Sequence, residues 1–330
     1  MTNITYQRLD EKKRRLDSLK PLPPELVKNL DEWFRIELTY NSNAIEGNTL
    51  TRRETATIVE KGLTVEGKTL NEQLEAVNHA KAWDLVKQLA EKKRAEITEQ
   101  DVLAIHTRIL HGIDDTNAGR YRTVSVRISG SEVILPNYLK VPDLMSEFIR
   151  WLTGENADHP AKIAADAHYK LVSIHPFADG NGRAARLLND LLLQQAGFPP
   201  ALVRNEVRNA YIGAIEKAQL SGGTDMDDYY QVMLAAAEIS LDTYLEAAEN
   251  REPSKKVVSK LLKIGELAEL TQETVANLRF WTNMGLLQTE GFTLGGYRLY
   301  STSMADRAKE IRRLQREERR TIQEIKEQLQ

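Results

Sequence analysis

His175, Asp179, Arg183 and Arg186 fall within one short run, IHPFADGNGRAAR (174–186), where a helical pattern stops, turn residues intervene and a second helical pattern begins at Arg183. Gly180-Asn181-Gly182 can turn successive backbone N–H groups inward as an anion nest beside the positive end of the following helix, a setting suited to phosphate. Asp179 can hold a Mg²⁺ that bridges phosphate oxygens, since this ion takes only one or two carboxylates plus substrate. Arg183 and Arg186, spaced i,i+3, project from the first helical turn toward the same anion. His175, at the mouth of the loop, has the pKa range needed to take a proton from an attacking hydroxyl. A base, a metal carboxylate, a nest and two arginines compose a phosphoryl- or nucleotidyl-transfer site. His168 lies seven helical residues before His175, roughly 10 Å of rise away, too far for both to ligate one metal. It reads as a hydrogen-bonded core residue.

The elements that must position this loop are helices. Apolar residues recur at helical spacing through residues 72–93, 97–110, 141–152, 161–174, 183–196, 208–220 and 226–248, which argues for a helical bundle. The exception, RTVSVRISGSEVILP (122–136), alternates β-branched and polar residues around Ser129-Gly130-Ser131 and predicts a β-hairpin. A lone hairpin is marginal by itself, so it must lean on helices or serve as a flap. The polar, Pro-containing NREPSKK (250–256) marks a linker before a second unit.

Composition narrows the classes. The 330 residues are 41% hydrophobic and 28% charged, enough for a sizeable core, and contain no cysteine, which excludes disulfides, Cys-based zinc sites and thiol catalysis. No stretch approaches a membrane span and no apolar leader opens the sequence, so a soluble, cytoplasmic protein is expected. Residues 251–330 carry 15 Lys and Arg against 11 Asp and Glu, a balance of +4, which leaves −7 for the preceding body. GLTVEGKT (62–69) satisfies a P-loop expression, but helix rather than strand precedes it, and Gly62 reads as a helix C-cap.

The 175–186 run resembles the signature of the Fic (Fic/DOC) family, H-x-F-x-[DE]-G-N-G-R-x-x-R, at every defined position. AGRYR (118–122), the hairpin before Pro136, AHYKLVSIHPF and LLLQQAGFPP are similar to the family's pattern as well, so roughly residues 30–250 are covered. The resemblance implies a mainly α fold: a Fic core over 97–250 with a hairpin flap, preceded by a helical region over 1–96. It implies transfer of AMP from MgATP to a Tyr, Thr or Ser hydroxyl of a protein substrate, self-modification included. His175 would be the base and Asp179 the Mg²⁺ ligand. Gly180, Asn181, Gly182 and Arg183 would hold phosphates, and Arg186 would reach the γ-phosphate. The hairpin would clamp the target by strand addition. Phosphorylation, or another nucleotide donor in the same loop, stays open.

Ser42-Asn43-Ala44-Ile45-Glu46-Gly47 resembles the family's inhibitory motif [ST]-x-x-x-E-[GN], in which Ser42, Glu46 and Gly47 fill the defined positions. A carboxylate beside the nest can pair with Arg186 and occupy the place of a γ-phosphate. In some braked members the same Glu orients water to remove AMP.

After a linker at 251–256, residues 257–330 read as two short helices, IGELAELT and QETVANLRFWTNMGLL, and a hairpin around Gly295-Gly296. They resemble the MerR-type winged helix-turn-helix, whose DNA-touching positions are matched by Thr274, Asn277, Arg279, Tyr297 and Arg298. The family's long dimerisation helix is missing. The unit binds DNA in this reading, or else recruits a protein target or dimerises; a DNA-binding regulator with a Fic-derived sensing domain is the alternative to an enzyme.

Overall fold

The computed structural model describes residues 2–128, 130–249, 262–288, 291–292, 298–316, 318 and 320–328. The chain divides into two compact units, 1–251 and 252–330. The expected linker at 251–256 lies outside the described residues.

The first unit is helical: α1 (Thr2–Ser18), α2 (Pro24–Ile45), α3 (Arg52–Lys61), α4 (Leu70–Leu89), α5 (Glu99–Leu110), α6 (Val141–Thr153), α7 (Pro160–Ile174), α8 (Asn181–Gln195), α9 (Arg208–Leu220) and α10 (Asp227–Ala248). Thr51, Thr69 and Thr98 start α3, α4 and α5 with capping boxes, each threonine oxygen accepting from an N3 amide whose acidic side chain returns the bond. Gly62 does end α3, at φ 64°, with its N–H bonded to Ile58 O; Lys68 of the P-loop look-alike donates to Thr49 O at 2.6 Å. That lysine is committed to the fold.

At the centre, α7 and α8 form a helical hairpin whose connection is the 175–180 loop. Every residue of α8 from Asn181 to Leu193 except Gly182 is buried, the polar Arg183, Arg186, Asn189 and Asp190 included, and Ala184, Leu187, Leu188 and Leu191 enter the core. α4 packs against α5 and α8, α2 against α4, and α1 against α10, so α2, which carries Ser42, and α8, which carries Arg186, share one core.

Two expectations need correction. The helix after the loop begins at Asn181, two residues earlier than the pattern suggests, because Gly180 takes a left-handed φ of 78° and becomes its N-cap. The segment 122–136 shows no strand ladder among its described residues; Ser129 is outside them. A tip turn does form, with Ser131 N–H bonded to Ile128 O at 3.2 Å. Of its apolar positions, Val124 at 59% and Ile134 at 94% are open to solvent, and Val126, Ile128, Val133 and Leu135 are only partly buried. Arg122 instead ties the arms, donating to Val124 O and, at 2.6 Å, to Pro136 O.

The second unit has α11 (Ile264–Thr271) and α12 (Val275–Asn283) in helix-turn-helix order, then α13 (Ser303–Arg316) and α14 (Ile322–Gln328). Its short strands, β1 (Leu262–Lys263), β2 (Gly291–Phe292) and β3 (Arg298–Tyr300), pair antiparallel in the order β1-β3-β2, with Gly291 opposite Leu299. Leu267, Leu278, Trp281, Ile311 and Leu314 form its own core. Among the described residues no helix is long and apolar enough to cross a membrane.

Candidate active site

His175 closes α7 in a left-handed conformation, φ 50°, which non-glycine residues seldom adopt and which clusters at functional sites. Its N–H caps Leu171 O at 2.9 Å. Its Nδ1 lies 3.3 Å from Val172 O. A carbonyl only accepts, so the proton sits on Nδ1 and Nε2 keeps the lone pair. Burial pushes the imidazole pKa down, the Val172 bond opposes that, and Arg122 adds to the lowering; the ring is neutral and basic at Nε2 around neutrality. Arg122 Nε also donates to His175 O at 2.8 Å, joining the 122–136 segment to the end of α7.

Asn181 braces the loop. Its Oδ1 accepts from Phe177 N–H and its Nδ2 donates to Phe177 O, both at 2.9 Å, so its side chain is spent on shape and only its N–H is left for an anion. The first bond inside α8 runs from Ala184 N–H to Gly180 O. The N–H groups of Asn181, Gly182 and Arg183 precede it and have no carbonyl within the helix, the arrangement that binds phosphate. Replacing Asn181 with alanine removes two buried bonds and leaves the Phe177 N–H and C=O unpaired, at a cost of about 1–3 kcal/mol for each buried group. Thermal denaturation should show a Tm lowered by several degrees, with weaker nucleotide binding; an unchanged Tm would show that the loop holds its shape without this clamp.

His106 on α5 escaped the sequence reading. It stacks face to face on Phe177, centroids 3.6 Å apart, accepts from Gly119 N–H at Nδ1 (3.0 Å) and so donates from Nε2 to Asp179 O (2.9 Å). Burial drives its pKa down to about 4, keeping this tautomer neutral. The signal was present: a histidine one residue after Ile105 on the buried side of an amphipathic helix. A Cβ at Gly180 would press on that ring at 3.2 Å.

Arg183, 3% exposed, forks between Glu75 Oε1 (2.8 Å) and Asp179 Oδ2 (2.9 Å), and its Nε has no partner. Glu75 of α4, also unforeseen, receives Asn48 Nδ2 on its other oxygen at 2.8 Å. The Asp179 side chain is 71% exposed.

The Ser42–Gly47 segment meets Arg186. Arg186 donates from Nε to Ser42 Oγ (3.0 Å) and from one terminal nitrogen to Ser42 O (2.9 Å) and Glu46 Oε1 (2.6 Å). Burial opposes the charge on Arg186, but Tyr211 and Glu46 outweigh it and the pKa moves up. Glu46 is the C-cap of α2; Gly47 follows at φ 101°, and Asn48 N–H returns to Asn43 O. Any Cβ at position 182 would collide with Glu46 Oε1, so Gly182 is what lets the carboxylate reach the helix start. Glu46, Gly182, Arg186 and His175 border a cavity of about 170 Å³ roofed by Ile128 and Ser131, and Ser131 Oγ donates to Glu216 of α9 at 2.6 Å. Ligand sites commonly need about 300–1,000 Å³.

The geometry thus unites His175, Asp179, the α8 N-terminus, Arg183, Arg186, Ser42 and Glu46. Residues 96–193 match the Fic/DOC family model. Fic-1 (aa134–508) from C. elegans is similar in structure, with 30% identity, a TM-score of 0.68, and coverage of 76% of this chain and 74% of that one. The chain belongs to the Fic/DOC family. A Fic domain containing signaling protein from Bacteroides thetaiotaomicron is similar at 27% identity and TM-score 0.68, covering 74% of this chain and 98% of that one. Among curated relatives, Protein adenylyltransferase Fic of Culex quinquefasciatus is 36% identical over 244 residues, 73% of this chain and 48% of that protein. This Fic chain spans about half the length of the curated relatives it matches.

Residues 262–330 match the MerR HTH family regulatory protein model. On α12, Arg279 is exposed. Thr274 Oγ1 accepts from Asn277 N–H as the helix cap, and Asn277 Nδ2 donates to Glu273, so both side chains already serve the fold. Arg298 lies on β3, and Tyr297 falls outside the described residues.

Proposed function

We propose that this chain is a self-inhibited protein adenylyltransferase that moves AMP from MgATP to a Tyr, Thr or Ser hydroxyl of a protein. The observation that carries the reading is the meeting of a lone-pair imidazole Nε2, three unpaired N–H groups of α8 and two buried arginines at one loop. The substrate hydroxyl oxygen attacks the α-phosphorus while its proton passes to His175 Nε2; the bond from the α-phosphorus to the bridging oxygen breaks, and pyrophosphate leaves. The α8 N–H groups and Arg183 receive the phosphate charge, and Arg186 receives the γ-phosphate. Asp179 fits Mg²⁺ in the manner of a one-carboxylate site, with an exposed side chain beside the nest. Bound there, Mg²⁺ screens the phosphate charge.

Glu46 is the brake: paired to Arg186, it stands where the γ-phosphate must come, and the same carboxylate orients a water for removal of AMP. The reading is tested by incubating the protein with Mg²⁺, lysate and ATP labelled at the α or the γ position. Label retained on protein from the α position alone supports it; retention from the γ position alone makes the chain a kinase.

The second unit has a reading of its own, favoured by the MerR-type match and the exposed Arg279: it contacts duplex DNA. Arg279→Ala in the full chain should weaken duplex binding at low salt and flatten the dependence of log K on log salt by about one contact's worth, a slope change of about 0.9. A filter-binding series showing no duplex binding by the unmodified chain at low salt, together with capture of a protein partner, would sink the DNA reading in favour of recruitment.

A further inference from the structure

On the side of Arg186 that Ser42 and Glu46 leave open, a line of buried polar side chains crosses α9, α7 and α10 and ends on a main-chain carbonyl. Chemistry settles where each proton lies. Ala165 O can only accept, and Tyr229 Oη is 2.6 Å from it, so the Tyr229 proton is spent there. The Tyr229 oxygen therefore accepts from His168 Nδ1 at 2.8 Å, which puts the imidazole proton on Nδ1. Nε2 keeps a lone pair and takes the Tyr211 hydroxyl proton at 2.6 Å. Tyr211 Oη is left with lone pairs alone, and it is the atom 3.4 Å from an Arg186 terminal nitrogen.

The three side chains are 0–1% exposed, and burial drives the His168 pKa down to about 3, so the line is neutral. Besides the Ser42 hydroxyl, which binds Nε from the same helix as Glu46, Arg186 has side-chain partners of two kinds on its terminal nitrogens. Glu46 is ionic, exposed and sited at a helix end; Tyr211 is neutral, buried and held by side chains on two other helices. A partner that must give way to a phosphate is served by the first kind. One that must stay is served by the second, which offers an acceptor without a competing charge.

We infer that Tyr211 fixes the terminal nitrogen of Arg186 that Ser42 does not hold, and so positions Arg186 for the γ-phosphate once Glu46 withdraws, with His168 and Tyr229 fixing the Tyr211 hydroxyl as an acceptor. The inference rests on the proposed reading of Arg186 as the γ-phosphate contact. Tyr211→Phe removes the hydroxyl and keeps the ring, whose centroid lies 5.9 Å from the guanidinium carbon. In a Glu46→Gly chain, calorimetry with Mg²⁺ should find ADP affinity within about twofold of the parent and ATP affinity lowered about tenfold, since tenfold corresponds to about 1.4 kcal/mol. Equal loss for both nucleotides, or no loss for ATP, would overturn the positioning role. If Glu46→Gly alone binds ATP no better than ADP, the γ-phosphate reading itself fails and the inference falls with it.

A second measurement needs no variant and no nucleotide. Imidazole ¹⁵N shifts of His168 in the unmodified protein should report a neutral ring protonated at Nδ1. A ring protonated at Nε2 would reverse the donor order at Tyr211 and overturn the inference, whether or not the Phe variant folds.

Discussion

His175→Ala should lower AMP transfer by at least about a hundredfold while leaving ATP binding measurable, because a positioned general base contributes about 10²–10⁴ and the phosphate contacts lie elsewhere. The imidazole caps nothing but its own turn: the Leu171 bond uses the backbone N–H, and Arg122 holds the backbone carbonyl, so both survive truncation of the side chain. The left-handed φ at this position is costly for alanine as well, and a modest fall in Tm is expected alongside. The pH profile gives an independent check. Only the neutral ring accepts a proton, and it is neutral above its pKa; burial lowers that pKa, so the acid limb of kcat/KM should fall below the value of an ordinary histidine. A variant retaining more than about a tenth of the unmodified rate exceeds what loss of a general base allows, and would remove His175 from that role.

Much of this site was readable from residues 174–186, because a base, a carboxylate, a glycine pair and two arginines had to converge within one helix-loop-helix. What escaped was contributed from across the fold. His106, Glu75 and Tyr211 sit on α5, α4 and α9, and each reads locally as one more polar residue in an amphipathic helix; only packing reveals that His106 props Asp179, Glu75 grips Arg183 and Tyr211 faces Arg186. Helix spans followed the apolar spacing closely, as at 208–220, where pattern and helix coincide. The start of α8 did not, because the deciding feature was the φ of Gly180, which periodicity does not register. Alternation in 122–136 suggested a ladder, yet alternation signals a strand only when one face is well buried, and here Val126, Ile128, Val133 and Leu135 are only partly covered while Val124 and Ile134 are exposed.

Glu46→Gly should raise transfer at least about tenfold, self-modification included. The substitution falls on the C-cap of α2, followed by a glycine already in a left-handed turn, so the helix interior is untouched. What is lost is the bond from Arg186 to Glu46 Oε1 and the carboxylate crowding Gly182. Tenfold in rate corresponds to about 1.4 kcal/mol, and a charge-assisted bond to a buried arginine contributes that much or more. Ser42 and Tyr211 still hold Arg186, so the residue is released without being disordered. Combining Glu46→Gly with Arg186→Ala should abolish the gain, since the group being freed is then gone; this non-additivity separates a specific brake from general loosening of α2. Unchanged transfer in Glu46→Gly, with ATP bound equally by both proteins, would return Glu46 to an ordinary helix end.

The most direct measurement on the central claim is the identity of the small molecule released as the Glu46→Gly protein modifies a hydroxyl in the presence of MgATP. Transfer of AMP breaks the bond between the α-phosphorus and the bridging oxygen, so one pyrophosphate should appear for each modified residue, and none when His175 is also replaced by alanine. Release of ADP in step with modification would mean that the γ-phosphoryl group had moved instead, and would contradict the account.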